Sequence, residues 1–220
     1  MRVTRIERQE RRAGRVNIYV DGQFAAGVSV ETLARAGLRT GDRVDDHLLE
    51  SLRREEELAG TKAAALRLLG ARPRSAKELR DRLLEKEFGD AAIQRVLDQL
   101  TRAGLVDDDQ FARMFIRHTL KLRPAGRILL RQKLLLRGID ARTADRALDE
   151  EMPDPQEHVL LVARQLLRRA RGSSRAGDPA IRRRLAAGLA RRGFTWTAIS
   201  SALRIILPPT PAHDDESGSV

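Results

Sequence analysis

Residues 130–148 read LRQKLLLRGIDARTADRAL. Leu130 and Leu134 lie four apart, as on one face of a helix; Arg137-Gly138 breaks the run; Ile139 follows, and Ala144, Ala147 and Leu148 resume helical spacing. The pattern recurs 51 residues earlier, in residues 79–97 (LRDRLLEKEFGDAAIQRVL), and 55 residues later, in residues 185–203 (LAAGLARRGFTWTAISSAL). Leu79, Leu83, Phe88, Ile93, Val96 and Leu97 thus align with Leu185, Leu189, Phe194, Ile199, Ala202 and Leu203. A basic residue precedes each turn: Lys86, Arg137 and Arg192. Gly138 and Gly193 stand where a helix must end and a left-handed residue is easiest. The first copy has Glu87 there, with Gly89 two residues on. Each unit reads as helix, helix, tight turn, helix. Such a unit of about 50 residues is marginal alone, but three can stack in tandem. The expected fold is mainly α: tandem three-helix, helix-turn-helix-like repeats in an elongated array.

Working outward, the N-terminal residues read differently. Val16, Ile18 and Val20 alternate with polar positions, then Asp21-Gly22, then Gln23 to Val28. Asp-Gly between such runs is a strong hairpin signal, because a type I′ turn needs positive φ. Val3 and Ile6 extend the β signal, and a short helix is predicted over Val30–Ala36. From Asp42 the pattern is helical, punctuated at Arg72-Pro73, Gly89, Gly104, Pro124 with Gly126, Gly138, Pro153 with Pro155, Gly172 to Gly177, and Gly193. The predicted divisions are a β-hairpin region (1–40), a first repeat with a long leading helix (41–106), a second repeat (107–152) and a third (153–207). A disordered acidic tail, with Asp214, Asp215 and Glu216, is expected over 208–220.

Composition narrows the function. The chain has 220 residues, 42 Lys+Arg against 31 Asp+Glu, a net charge of +11 and no Cys. That rules out disulfides, a thiolate nucleophile and Cys-ligated zinc. The longest uncharged run, Gly193 to Leu203, is eleven residues, against the roughly twenty a spanning helix needs. The first twelve residues hold five Arg and no apolar stretch, so they do not read as a signal peptide. A cytoplasmic protein is expected. Codon usage accounts for the ratio of 37 Arg to 5 Lys, but not for the excess of positive charge.

No catalytic constellation emerges. His47, His118, His158 and His213 have no metal-ligand spacing, and neither a phosphate loop nor a GxSxG motif occurs. The run Asp107-Asp108-Asp109 reads as a helix start, where carboxylates suit free N–H groups and the helix dipole, ahead of a Mg²⁺ site. The expectation is a non-enzymatic protein with no cofactor and no metal. Phe194 and Trp196 are expected inside the third unit, so no single-strand stacking platform is predicted.

The basic residues are the better candidates. Arg72, Arg74, Lys77 and Arg80 cluster at the first unit. From Lys121 to Arg137 there is no acid, and Arg123, Arg127 and Arg131, spaced by four, are predicted as one helical stripe, joined by Lys133 and Arg137. From Leu160 to Thr195 there are ten Arg and one Asp, and Arg182, Arg183 and Arg191 are candidates there. Without i,i+4 acids to balance them, contact with phosphates or an acidic protein surface would explain the asymmetry.

Two segments resemble a known family. Ala64 to Leu69, followed by Arg72-Pro73-Arg74-Ser75-Ala76-Lys77-Glu78-Leu79-Arg80 with Arg82-Leu83, resembles the RecX signature. So does Val96-Leu97 with Leu100, followed by Gly104-Leu105-Val106-Asp107-Asp108 and Phe111-Ala112. Gly126, Leu134 and Arg137-Gly138-Ile139 fit that family's second repeat, and the resemblance covers residues 60–207. It implies a monomeric bacterial regulator of the RecA recombinase, concerned with DNA repair, homologous recombination and the SOS response. Such a protein lies in the groove of the RecA–DNA filament and suppresses ATP hydrolysis and strand exchange, meeting DNA weakly or through the filament. Within the motif, Pro73 and Ser75 read as structural, Ser75 being an N-cap with Glu78 at the capping-box position. Asp107, Asp108 and Phe111 read as joint residues between units, and Gly138 and Gly193 as turn residues. This chain departs from the family in its Arg-rich third repeat and its acidic tail. The alternative is a stand-alone helix-turn-helix DNA-binding protein, transcriptional or architectural.

Overall fold

A computed structural model describes residues 1–10, 13–170 and 179–207. The Gly172–Gly177 linker and the acidic tail lie outside the described residues. The chain divides into two compact units, residues 1–107 and 108–220.

In the first unit, β1 (Val3–Arg8), β2 (Arg15–Val20) and β3 (Gln23–Ser29) form an antiparallel sheet in the order β1-β2-β3. The β2–β3 turn has Asp21 at φ 48° and Gly22 at φ 85°, the positive pair that the Asp-Gly signal requires. Val16, Ile18, Val20, Ala26 and Val28 cover one face and pack on Leu38, Val44, Leu49 and Leu52. The helix α1 (Val30–Ala36) is capped by the Ser29 hydroxyl, which accepts from Thr32 N.

Next comes α2 (Asp46–Ala71), 26 residues and therefore about 39 Å long. Its first half closes the sheet through Leu49 and Leu52. Its second half turns Ala64 and Ala65 onto α3 (Ala76–Leu84) and α4 (Asp90–Arg102). One helix therefore belongs to two cores. Ser75 is the N-cap of α3: it is fully buried and accepts from Glu78 N at 3.1 Å.

The second unit repeats the plan twice. First come α5 (Asp108–Leu122), α6 (Arg127–Leu136) and α7 (Ala141–Glu151), then α8 (Pro155–Ala170), α9 (Pro179–Ala190) and α10 (Trp196–Ile206). The aligned apolar positions form the cores: Leu130, Leu134, Ile139, Ala144, Ala147 and Leu148 in one, Leu185, Leu189, Phe194, Ile199, Ala202 and Leu203 in the other. The turn geometry repeats as well. Phe88 N donates to Leu83 O, Ile139 N to Leu134 O and Phe194 N to Leu189 O, the long bond of a Schellman motif. The left-handed residue beneath each is Glu87 (φ 63°), Gly138 (φ 82°) or Gly193 (φ 81°).

Two expectations are corrected. Trp196 does not pack inside the third unit; it is 71% exposed. Phe194 already fills the end of that core, and Trp196 opens α10 at a position whose counterparts, Asp90 and Ala141, are also exposed. The Arg123–Arg127–Arg131 stripe is not a helical feature either. Pro124 disfavours helix at the residue before it, so α5 stops at Leu122 and Arg123 lies in the loop ahead of α6. Among the described residues no helix is long and apolar enough to cross a membrane.

Candidate anion-binding cleft between the second and third repeats

The α5–α6 loop meets the α9–α10 turn backbone to backbone. Gly126 N donates to Arg192 O at 2.7 Å and Ile128 N to Gly193 O at 3.2 Å. These bonds consume N–H groups at the start of α6, which a helix otherwise leaves without partners. Neither glycine has room for a side chain: a Cβ on Gly126 would lie 2.3 Å from Gly193 O, and one on Gly193 would lie 2.3 Å from Leu129 N. His158 of α8 completes the joint. It is buried, its Nε2 donates to Ala125 O at 3.0 Å, and its ring lies 5.3 Å from that of Phe194.

Beside this joint opens a cleft of about 490 Å³. Five cationic side chains line it: Arg123, Lys133, Arg169, Arg191 and Arg192. Leu122, Leu129, Val162 and Leu166 supply apolar wall, and among the described residues no acidic side chain contributes. Arg192 is held by its own helix, Nη1 donating to Gly188 O at 2.8 Å. Among the described residues, no carboxylate pairs with any of the five.

The remaining candidates are engaged differently. Arg127 pairs with Asp149 at 2.5 Å, and Arg131 grips Asp145 with two nitrogens at 2.8 and 3.2 Å. The Arg131 hydrogen bond, followed by the positive charges nearby, holds the Asp145 carboxyl below the usual range against some burial, and the same bond raises Arg131. Arg137 lies over the Phe115 ring at 4.4 Å and donates to Lys133 O. Arg182 donates to Leu207 O at 2.9 Å at the end of α10, and Arg183 is exposed on α9 outside the cleft. In the first unit, Arg72 pairs with Glu78, Lys77 with Asp81 and Arg80 with Asp90. Arg74 Nε donates to Leu68 O, and burial, then the charge of Arg72, lowers its pKa.

Three sequence candidates, Arg123, Lys133 and Arg191, therefore meet in one place, and the structure adds Arg169 and Arg192. Of the motif residues, Asp108 opens α5, and Phe111 is buried in the second repeat's core, stacked on Phe115 at 6.2 Å. Asp109 pairs with Arg113 and Arg146. Among the described residues no group of three or more His, Asp or Glu could hold a metal ion.

A small antiparallel sheet followed by three-helix repeats, with five of its cations gathered in a cleft, defines a repeat protein whose candidate site is a binding surface. Comparison with known proteins gives the family. Residues 1–45 match the model of the regulatory protein RecX N-terminal domain. Residues 62–100, 107–148 and 161–203 match the first, second and third RecX three-helix domains. The chain belongs to the RecX family. It is 27% identical to the regulatory protein RecX of Clostridium acetobutylicum over 206 residues, covering 93% of this chain and 95% of that protein. It is 28% identical to that of Clostridioides difficile over the same shares. A crystal structure of regulatory protein RecX superposes with a TM-score of 0.69 at 25% identity, over 93% of this chain and 98% of that one.

Proposed function

We propose that this protein is a non-enzymatic regulator that binds the RecA–DNA filament and restrains RecA's ATP hydrolysis and strand exchange. Membership of a family of regulatory proteins supports the regulatory part of this reading. The observation that carries the binding part is the cleft: among the described residues, five cations and no acid line it, with a fixed backbone joint beside it. Guanidinium groups without carboxylate partners suit phosphates or an acidic protein surface. Because the proposed partner assembles on chromosomal DNA, the site of action is the cytoplasm.

The test is RecA ATP hydrolysis on single-stranded DNA with the purified protein added below stoichiometry. A fall in rate with shortening of filaments is expected. An unchanged rate and filament length would overturn the proposal.

A further inference from the structure

The cleft gathers its cations into a small space, with Arg123, Arg169 and Arg191 exposed at its mouth. Its 490 Å³ corresponds to a sphere about 10 Å across. That lies within the roughly 300–1,000 Å³ typical of small-ligand sites. Among the described residues, five positive side chains line this small space with no carboxylate among them.

We infer that this cleft binds a condensed phosphate, meaning a short chain of anhydride-linked phosphates such as a nucleoside triphosphate or inorganic tripolyphosphate carries.

Charge density decides between this ligand and a nucleic-acid strand. A diester strand places a sugar between successive single charges, so a space about 10 Å across admits only one or two of them. Five cations would then remain largely unneutralised. A condensed phosphate brings three or four charges on adjacent tetrahedra, and each tetrahedron offers the oxygen pair that an arginine fork accepts. Among the described residues the lining contains no aromatic ring, so a stacked base gains little there.

The site is also preorganised. Arg192 is fixed at both ends, its carbonyl accepting from Gly126 N and its guanidinium donating to Gly188 O. Lys133 rides on α6, whose first turn is bonded to Gly193. Less conformational freedom is therefore lost when the ligand enters. The inference rests on the same cleft as the filament reading, but its test contains neither RecA nor DNA filament, so the two readings can fail separately.

The experiment is calorimetric titration of the full chain with inorganic tripolyphosphate and, separately, with an oligothymidylate, at about 150 mM salt where nonspecific charge attraction is screened. The cleft variant is Lys133→Gln/Arg169→Gln/Arg191→Gln. The control, Arg67→Gln/Arg95→Gln/Arg102→Gln, removes the same charge from exposed positions of the first unit. Circular dichroism checks helicity, and single Lys133→Gln and Arg169→Gln variants replace the triple should it unfold. One equivalent of tripolyphosphate is expected to bind the wild type and the control, with affinity at least about tenfold weaker in the cleft variant. Equal affinity in cleft variant and control, or no binding to the wild type, overturns the inference. Oligothymidylate binding that depends on the cleft, without tripolyphosphate binding, also overturns it and assigns the cleft to a strand.

Discussion

Gly126 and Gly193 touch through their backbones: the Gly193 carbonyl oxygen occupies the place that a Cβ on Gly126 would need, at 2.3 Å. No rotamer relieves that overlap, because a Cβ is fixed by its own backbone and the oxygen is main chain. Gly126→Ala must therefore push the α5–α6 loop off the α9–α10 turn and break the bonds to Arg192 O and Gly193 O. Two lost backbone bonds with a steric clash predict a loss of about 2–4 kcal/mol. Differential scanning calorimetry should show a clearly lower Tm, and titration with tripolyphosphate should show weaker binding as well. A variant that keeps the wild-type Tm would mean that the joint yields freely.

The first repeat offers the opposite experiment. Glu87 takes the left-handed turn position, at φ 63°, that glycine fills as Gly138 and Gly193 in the other two repeats. An L-residue with a Cβ pays roughly 1–2 kcal/mol in that region, and the partial offset is glycine's larger freedom in the unfolded chain. Glu87→Gly is expected to stabilise the protein by about 0.5–1 kcal/mol. Chemical denaturation of the variant checks the sign. A lower midpoint would show that the Glu87 side chain contributes more than its backbone costs.

How much of this was legible in the sequence follows from the range of each interaction. The repeat could be read because helical spacing and a left-handed turn are local: Leu130, Leu134 and Gly138 lie within nine residues, and their counterparts recur in order. The joint could not. Gly126 reads from the sequence as punctuation and as part of the family resemblance, but its reason for being glycine is the carbonyl of Gly193, on the far side of α6 to α9. His158 carried no motif, and its partner is a backbone oxygen 33 residues away. The balance of charge on α6 failed likewise: i,i+4 acids are absent, but Asp145 and Asp149 arrive from α7. Trp196 shows the same limit: hydrophobicity alone does not reveal that Phe194 closes the core and leaves Trp196 outside it.

Glu56 ties the N-terminal sheet to α2. Its carboxylate accepts from Arg15 at 2.5 Å, from Ser29 N at 2.7 Å and from the Thr32 hydroxyl at 2.9 Å. Burial by itself would raise its pKa, but the hydrogen bonds of Ser29 and Thr32, with the Arg15 charge, outweigh it and leave the carboxyl below its ordinary value. A carboxyl depressed in the folded state binds its proton more readily when unfolded. Its stabilisation is therefore complete above the unfolded value and is lost as pH falls through the folded one. Glu56→Gln is expected to cost about 1–3 kcal/mol at neutral pH, since it leaves buried donors poorly matched. The deficit should shrink on acidification below the ordinary carboxylate range. Thermal melts of both proteins across an acid series test this; a deficit that stays constant with pH would exclude the charge of Glu56 as its source.

Arg131 and Lys133 stand two residues apart on α6 and should behave in opposite ways. Arg131 is committed to Asp145 by two hydrogen bonds, while Lys133 lines the cleft with no carboxylate partner among the described residues. The pair is exposed and screened by solvent, so Arg131→Gln should lower the Tm only slightly. It should leave inhibition of RecA ATP hydrolysis close to wild type, because that guanidinium is already occupied. Lys133→Gln removes a like charge from a crowded cluster, so its Tm should hold or rise. Its inhibitory potency should fall severalfold, and further when combined with Arg191→Gln. The pairing of melting curve and ATPase titration in the same two variants separates the roles. Were Arg131→Gln the one to lose potency, the paired face of α6 and α7, and not the cleft, would be the surface that meets the partner.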